Sequence, residues 1–311
     1  MNPISFTISI PAYKRQFLRA CIDSILAQTY QDFEVVIVDD NSPQHLKEII
    51  DDYKGDPRIH YYRNDVGFGG RNVVGNWNKC LEYAQGEFII CMGDDDMLAP
   101  SCLANYHALI EKYPNLNIYH TRTEIIDEQA MPIDIQEARP EFESVYSMIW
   151  HYWKGRRQFI GDWLFRTSEL RKRGGFFSLP YAWEADHICA FSAAKETGVA
   201  NTCEVGFLYR ENRNCITKRT DNTVDKVQAI QQAKAWYMNF LREEPVEETD
   251  KLYRKLLAEN VCTHFHKRMA NDLGVAFKHH PTSILFWIVN MNNMGITLKT
   301  FIRACALAIM K

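Results

Sequence analysis

The sequence lacks the motifs that identify the commonest nucleotide-binding proteins. It has no G-x-G-x-x-G, which excludes a Rossmann dehydrogenase, and no G-x-x-x-x-G-K-[ST], which excludes a P-loop NTPase. Its nine cysteines are scattered and include no Cys-x-x-Cys pair. An odd number of cysteines, several of them inside apolar runs, predicts reduced thiols that lie mostly in the core of a cytosolic protein.

An excess of charge and a long apolar run are also missing. A formal net charge of −3 gives no electrostatic case for nucleic-acid binding. No apolar run approaches the ~20 residues that are needed to span a bilayer. The first residues lack the basic region of a signal peptide. We therefore expect a cytoplasmic protein.

Acidic residues follow two apolar runs of the first hundred residues. The triplet Asp94–Asp96 follows residues 88–93, and the pair Asp39–Asp40 follows residues 33–38. Continuous runs rich in Ile and Val predict strands buried on both faces of a parallel sheet, whose carboxyl ends border the ligand crevice. Carboxylates crowded there require a cation, and hard oxygen ligands favour Mg²⁺ or Mn²⁺ carrying phosphates. The pattern predicts a site for a metal-bound nucleotide.

Strand and helix patterns alternate along the chain. The predicted strands are 4–10 (ended by Pro11), 33–38, 59–62, 88–92, 117–123 and 205–209. The predicted helices are 17–26, 43–54 (with Ser42 as N-cap), 73–84, 100–113, 183–195, 224–242 and 250–270. This order predicts an α/β fold with a doubly wound, mainly parallel sheet flanked by helices.

Two long runs of the sequence resemble family 2 glycosyltransferases of the GT-A fold. They are SFTISIPAYKRQFLRACIDSILAQTYQDFEVVIVDDNS and GGRNVVGNWNKCLEYAQGEFIICMGDDDML, and the likeness covers roughly residues 4–215. The resemblance implies a nucleotide-sugar-binding half at 1–98, an acceptor-binding half at 99–222 and a helical C-terminal extension at 223–311.

The resemblance also implies roles in binding the nucleotide. The loop after the first strand, Pro11, Ala12 and Tyr13, would cup the base. Asp40 would contact uracil, and Arg71 would lie near the diphosphate and ribose.

The aspartate triplet corresponds to the D-x-D metal motif of the family, with Gly93 in the place of a first Asp. On this basis Asp94 would lie near the ribose and Asp95 would bind Mn²⁺ or Mg²⁺. Asp96 is assigned to the metal site as well, either as a supporting group or as the N-cap of the next helix.

The catalytic base of the family follows a Gly-Gly-Phe segment, which is present here at 174–176. Asp186 matches that position best, and Glu184 is the second choice. A carboxylate beside the acceptor removes the proton of the hydroxyl as the new bond forms. A basic segment with Arg210 and Arg213 corresponds to residues near the diphosphate.

The resulting hypothesis is an inverting, metal-dependent glycosyltransferase. It would move one sugar from a UDP-sugar, or a dTDP-sugar, to a hydroxyl of a glycan acceptor. The resemblance favours a lipid-linked acceptor in the synthesis of a bacterial polysaccharide such as O-antigen. The alternatives are a non-catalytic nucleotide-sugar-binding protein and a sugar-nucleotide pyrophosphorylase, although the segment 11–15 lacks the glycine-rich loop of the latter.

Charge is unevenly distributed along the chain. No acidic residue follows Asp272, whereas four Lys or Arg residues and the apolar segment 284–289 do. Such a basic, apolar segment could hold residues 273–311 on the inner, anionic face of a membrane. The alternative is a helical cap that packs on its own domain.

Overall fold

The computed structural model describes residues 5–212 and 220–310. The strands are β1 (Phe6–Ala12), β2 (Phe33–Asp39), β3 (Ile59–Arg63), β4 (Phe88–Cys91), β5 (Met97–Leu98), β6 (Ile118–Ile126), β7 (Pro132–Ile135), β8 (Phe142–Glu143), β9 (Trp163–Arg166) and β10 (Val199–Arg210). The helices are α1 (Leu18–Leu26), α2 (Lys47–Ile50), α3 (Val73–Tyr83), α4 (Cys102–Lys112), α5 (Val145–Trp153), α6 (Thr167–Lys172), α7 (Ala185–Ala194), α8 (Thr223–Phe240), α9 (Glu248–His279), α10 (Ser283–Asn290) and α11 (Leu298–Ile309).

The strands form one sheet in the order β3-β2-β1-β4-β9-β6-β10-β5, with β7 on β6 and β8 on β10. The first four of these strands are parallel, and so are β6 and β10. The apolar runs of β1, β2 and β4 are buried almost completely because helices cover both faces of a parallel sheet. The predicted mainly parallel sheet with flanking helices is confirmed.

Strand β1 does not end before Pro11 as predicted but continues to Ala12. Its pairing with β4 stops at Ser9, whereas its pairing with β2 continues to Ala12. Pro11 therefore lies where β1 has a neighbour on one side, and its missing N–H interrupts no ladder on the other side.

The predicted helix 43–54 is wrong in its first part. Helix α2 begins at Lys47 and is followed by a single 3₁₀ turn, Asp51–Tyr53. Ser42 does not cap it, since its Oγ donates to the carbonyl of Tyr13 at 2.5 Å and accepts the N–H of Gln44. Helix α4 begins at Cys102 after Ser101, so Asp96 is not its N-cap.

The described chain separates into two compact units. The first comprises the residues up to Ser178 and Ala185–Asn212, and the second comprises Leu179–Glu184 and the described residues after Asn212. The second unit contains α8 to α11, which agrees with the expected helical C-terminal region. The division of the first unit into a donor half and an acceptor half at residue 98 stays a prediction.

Candidate active site

Hydrogen bonds join the loop after β1 to the aspartates after β4. Strand β1 pairs in parallel with β2 on one side and with β4 on the other, so the carboxyl ends of the three strands lie at one edge. Asp94 Oδ2 accepts the backbone N–H groups of Tyr13 and Lys14, each at 2.6 Å. The structure thus brings together Pro11–Tyr13 and Asp94, which the resemblance assigns to the nucleotide.

Asp94 is buried beside a second carboxylate. Burial, followed by the charge of Asp95, raises the pKa of Asp94 to about 6, although Lys14 and the two N–H donors act against this rise. The protein therefore neutralises the negative charge of this cluster incompletely, which favours the binding of a further cation.

Asp95 is the one member of the triplet that is not buried. Its Oδ2 accepts from Lys14 Nζ at 2.8 Å and from Asn212 Nδ2 at 2.7 Å. Burial disfavours the charged ammonium of Lys14, but the charges of Asp95 and Asp94 outweigh it and raise its pKa. Lys14 and Asn212 were not assigned a role from the sequence.

Asp96 supports the segment at the end of β10. Its Oδ1 accepts the backbone N–H of Arg210 at 2.9 Å, and Arg210 Nε donates to the carbonyl of Asp95 at 2.8 Å. A further bond joins Arg210 Nη1 to the carbonyl of Asp127 at 2.8 Å. Arg210 is buried, and these bonds hold the end of β10 against the segments that follow β4 and β6. Arg213 lies outside the described residues.

The two aspartates after β2 hold different parts of the same edge. Asp39 is fully buried, and it accepts from Tyr61 Oη at 2.7 Å, Arg63 Nη1 at 2.6 Å and the N–H of Ser42 at 2.7 Å. These contacts fix the turn after β2 to β3.

Asp40, the residue assigned to uracil, organises the glycine-rich loop. Its Oδ1 accepts the N–H of Phe68 at 2.7 Å and Asn64 Nδ2 at 3.1 Å, and its Oδ2 accepts the N–H of Gly69 at 2.9 Å. Gly69 has a φ of 71°, which L-residues with a Cβ rarely adopt. Arg71 follows on an exposed 3₁₀ turn, so Asp40 and Arg71 are linked through this loop.

Asp186 lies in the first turn of α7, with a side chain that is partly exposed. Its Oδ1 accepts the N–H of His187 at 2.9 Å and lies 3.3 Å from His187 Nδ1, whose ring is 4.1 Å from that of Tyr152. Glu184, the second choice for the base, is buried and lies 2.9 Å from Arg268 Nη2. The exposure of Asp186 makes it the more accessible of the two carboxylates.

The described acidic residues of the site do not form a preformed metal cage. Within residues 5–212 and 220–310, no three His, Cys, Asp or Glu side chains form a set that could hold a metal ion. This does not conflict with a Mg²⁺-type site, because such ions are commonly bound by one or two carboxylates together with substrate phosphates.

The family model of Glycosyl transferase family 2 matches residues 7–179, a segment that includes both acidic strand ends. The chain belongs to this family. The likeness noted in the sequence is thereby confirmed.

Two curated relatives match about a third of the chain. A GalNAc(5)-diNAcBac-PP-undecaprenol beta-1,3-glucosyltransferase of Campylobacter jejuni is 33% identical over 126 residues, which cover 36% of this chain and 40% of that protein. A putative colanic acid biosynthesis glycosyl transferase of Escherichia coli, WcaA, is 36% identical over 110 residues, which cover 34% of this chain and 38% of that protein. The matches thus span about two fifths of the length of these relatives.

Solved structures of low sequence identity share the fold. S. aureus TarS 1-349 in complex with UDP-GlcNAc has a TM-score of 0.64 at 15% identity, covering 96% of this chain and 79% of that one. The mannosyltransferase PcManGT of Pyrobaculum calidifontis, in complex with GDP-Man and Mn²⁺, has a TM-score of 0.53 at 15% identity, covering 98% and 81%.

Proposed function

We propose that the protein is an inverting, metal-dependent glycosyltransferase that moves one sugar from a UDP-sugar to a hydroxyl of a glycan acceptor. The observation that carries the proposal is the pair of hydrogen bonds from Tyr13 and Lys14 to Asp94. They join the loop after β1 to the aspartate triplet, within the segment that matches family 2. One edge of the sheet therefore offers an aromatic side chain, a cation and several carboxylates.

The nucleotide would lie along the loop Pro11–Tyr13. Tyr13 is 45% exposed, which leaves its side chain accessible to a base. The carboxylate of Asp40 accepts the N–H groups of Phe68 and Gly69. A base that donates a hydrogen bond to Asp40 would therefore replace one of these two bonds. That exchange would couple base binding to the loop that carries Arg71.

The residues at the triplet fit a divalent cation, Mn²⁺ or Mg²⁺. Burial and the charge of Asp95 raise the pKa of both Asp94 and Asp96, as expected where negative charge exceeds the local positive charge. Asp95 would be the ligand, because the side chains of Lys14 and Asn212 that bind its carboxylate can move aside for a metal ion. Asp96 would support Asp95 from the buried side. When bound, the cation would neutralise the charge of the leaving diphosphate. Lys14 supplies a second positive charge at the same place.

The chemistry would be completed by Asp186. Its carboxylate would accept the proton of the acceptor hydroxyl while the hydroxyl oxygen attacks the anomeric carbon. The bond from this carbon to the nucleoside diphosphate breaks on the opposite side, which inverts the configuration. Asp94 and the loop after β1 hold the donor during this step.

The donor can be identified by thermal stabilisation of the full chain. We expect UDP-GlcNAc or UDP-glucose to stabilise the protein when Mn²⁺ is present, by about 2.7 kcal/mol at a concentration 100-fold above Kd. GDP-mannose and dTDP-glucose serve as comparisons, because the shared fold accommodates GDP-Man in one neighbour. Stabilisation by GDP-mannose alone would contradict a uracil site, and no stabilisation by any of the four would contradict the proposed function.

The proposed acceptor is a glycan carried on a lipid, in the assembly of a bacterial polysaccharide. The name of the C. jejuni relative includes a polyprenyl diphosphate, and that of the E. coli relative refers to colanic acid. Among the described residues no helix is long and apolar enough to cross a membrane.

Helix α10 presents an apolar face that its own unit does not cover. Trp287 points inward and is buried, whereas Leu285 is 72% and Val289 81% exposed. Phe286 and Ile288, which flank Trp287 in the sequence, are about half exposed. Four large apolar side chains on one eight-residue helix are typical of a helix that lies in an interface.

Helix α11 combines an apolar stripe with basic residues. Leu298, Ile302 and Ile309 are exposed and fall on one side of the helix at spacings of four and seven residues. Lys299 and Arg303 are exposed beside them. Since the segment after Asp272 contains no acidic residue, this surface complements an anionic membrane, whereas it would repel a second copy of itself.

We expect the chain of 311 residues to sediment with phosphatidylglycerol vesicles at low salt. Two double variants should reduce the bound fraction. Lys299→Glu/Arg303→Glu removes two basic residues, each of which contributes about 1 kcal/mol near the surface. Leu285→Asp/Val289→Asp places two charges on the apolar face that would enter the membrane. Leu252→Asp, at an exposed apolar position of α9, is the matched control. If all variants sediment equally, or if the wild type does not sediment at all, the segment 273–311 is a helical cap of its own domain and not a membrane-binding segment.

A further inference from the structure

Lys14 contacts the aspartate triplet with its backbone and, separately, with its side chain. Its N–H donates to Asp94 Oδ2 at 2.6 Å, as does the N–H of Tyr13, so the loop after β1 is anchored at a buried carboxylate. Its Nζ lies 2.8 Å from Asp95 Oδ2, and this lysine side chain is 32% exposed. The ammonium can therefore leave Asp95 by rotation about its own flexible stem, without movement of the loop.

The place of Lys14 Nζ overlaps with the place proposed for a divalent cation. Mg²⁺ and Mn²⁺ bind carboxylate oxygens directly, and the Asp95 side chain is 15% exposed. Two cations at one carboxylate oxygen repel each other, and solvent and salt screen such a repulsion poorly where the charges are partly buried. Lys14 and a metal ion would therefore compete for Asp95.

Two further groups near Asp95 differ from Lys14 in this respect. Asn212 Nδ2 donates to the same oxygen at 2.7 Å, but an amide carries no charge that would repel a metal ion. Arg210 is charged, but it is buried, and its Nε and Nη1 donate to the backbone carbonyls of Asp95 and Asp127, each at 2.8 Å. Of the two cations Lys14 and Arg210, Lys14 is thus the one that can move.

We propose that Lys14 couples metal binding to nucleotide binding by exchanging partners. It competes with the metal ion for Asp95, and it moves to the diphosphate of the nucleotide when the ion binds there. Lysine binds phosphate as a point charge on a flexible stem, which suits a group that leaves one anion for another. Because the nucleotide removes a competitor of the metal ion, each ligand favours the binding of the other. The inference rests on the proposed metal and nucleotide sites, and it assigns to Lys14 the coupling between them.

The first test compares Lys14→Met with the wild type in binding assays that involve no turnover. Without nucleotide, the variant should bind Mn²⁺ about 5- to 10-fold more tightly, the lower range of typical coupling between two ligands, because Asp95 loses a competing cation. Electron paramagnetic resonance of free Mn²⁺ measures this affinity. With Mn²⁺ present, calorimetry should show UDP binding about 5- to 10-fold more weakly, because the diphosphate loses a cation.

The decisive quantity is the coupling, which is the factor by which Mn²⁺ increases the affinity for UDP. An exchange of partners predicts that Lys14→Met lowers this factor by about fivefold or more. Lys14→Arg keeps a cation and should retain most of the coupling. Lys79→Met removes the same kind of side chain from an ion pair with Glu82 on α3, and it should bind both ligands like the wild type. If Lys14→Met binds Mn²⁺ more tightly by the same factor with and without UDP, Lys14 stays at Asp95 and the exchange is overturned.

The same measurements separate failure of this inference from failure of the proposed function. If the wild type binds Mn²⁺ and UDP cooperatively and Lys14→Met does so with unchanged affinities, the role of Lys14 is overturned while the proposed sites stand. If the wild type binds neither ligand, the proposed function is contradicted, and this inference with it. Lys14→Gln is neutral but polar, and it should reproduce both changes in affinity, so the result does not depend on how a methionine is tolerated at this position.

Discussion

Replacing Asp186 with Asn should lower turnover by about 10²–10⁴-fold, which is the typical contribution of general base catalysis. The amide has nearly the shape of the carboxylate but cannot accept the proton of the acceptor hydroxyl. Affinity for UDP in the presence of Mn²⁺ should stay close to wild type, because the donor contacts are assigned to the loop after β1 and the triplet after β4. The expected result is therefore a defect in kcat alone.

Single-turnover kinetics and calorimetry with UDP measure the two quantities separately. Glu196→Gln, which neutralises an exposed carboxylate just after α7, is the matched control and should be fully active. Full activity of Asp186→Asn would transfer the role to Glu184 or to another group. A large loss of UDP affinity would instead place Asp186 in the donor site.

The central strands could be predicted from the sequence because burial on both faces leaves a simple pattern. Strands β2 and β4 coincide with the Ile- and Val-rich runs to within a residue or so. The prediction of the end of β1 and of the start of α2 was wrong. Pro11 remains in β1 because one side of the strand is unpaired there. Residues 43–46 do not extend α2 because His45 has a φ of 52°, which is outside the right-handed helical region.

The candidate site could be predicted in part for a related reason. Asp94 and Asp95 follow a strand whose carboxyl end borders the crevice, so their position depends on local sequence and on the parallel order of the sheet. Lys14 and Asn212 reach Asp95 from 81 and 117 residues away. No pattern within a segment indicates such a pairing, since it depends on where β1 and β10 lie in the finished sheet.

Replacing Asp95 with Ala should abolish the dependence of UDP binding on Mn²⁺ and lower turnover by about 10²–10³-fold, the usual cost of removing one preorganised electrostatic contact to the reacting group. Asp95 is the accessible carboxylate of the triplet, and Lys14 is its ion-pair partner at 2.8 Å. Its removal leaves the positive charge of Lys14 available for a phosphate. The affinity for UDP without metal should therefore be preserved or increased.

The informative quantity is thus the ratio of the UDP affinities measured by calorimetry with and without Mn²⁺. In the wild type Mn²⁺ should increase the affinity, and in Asp95→Ala the ratio should approach one. Asp65→Ala, which removes an exposed carboxylate of the glycine-rich loop, should keep the ratio of the wild type. If Asp95→Ala also keeps that ratio, Asp95 is not a metal ligand, because a side chain that binds the ion cannot be removed without weakening the binding that the ion provides.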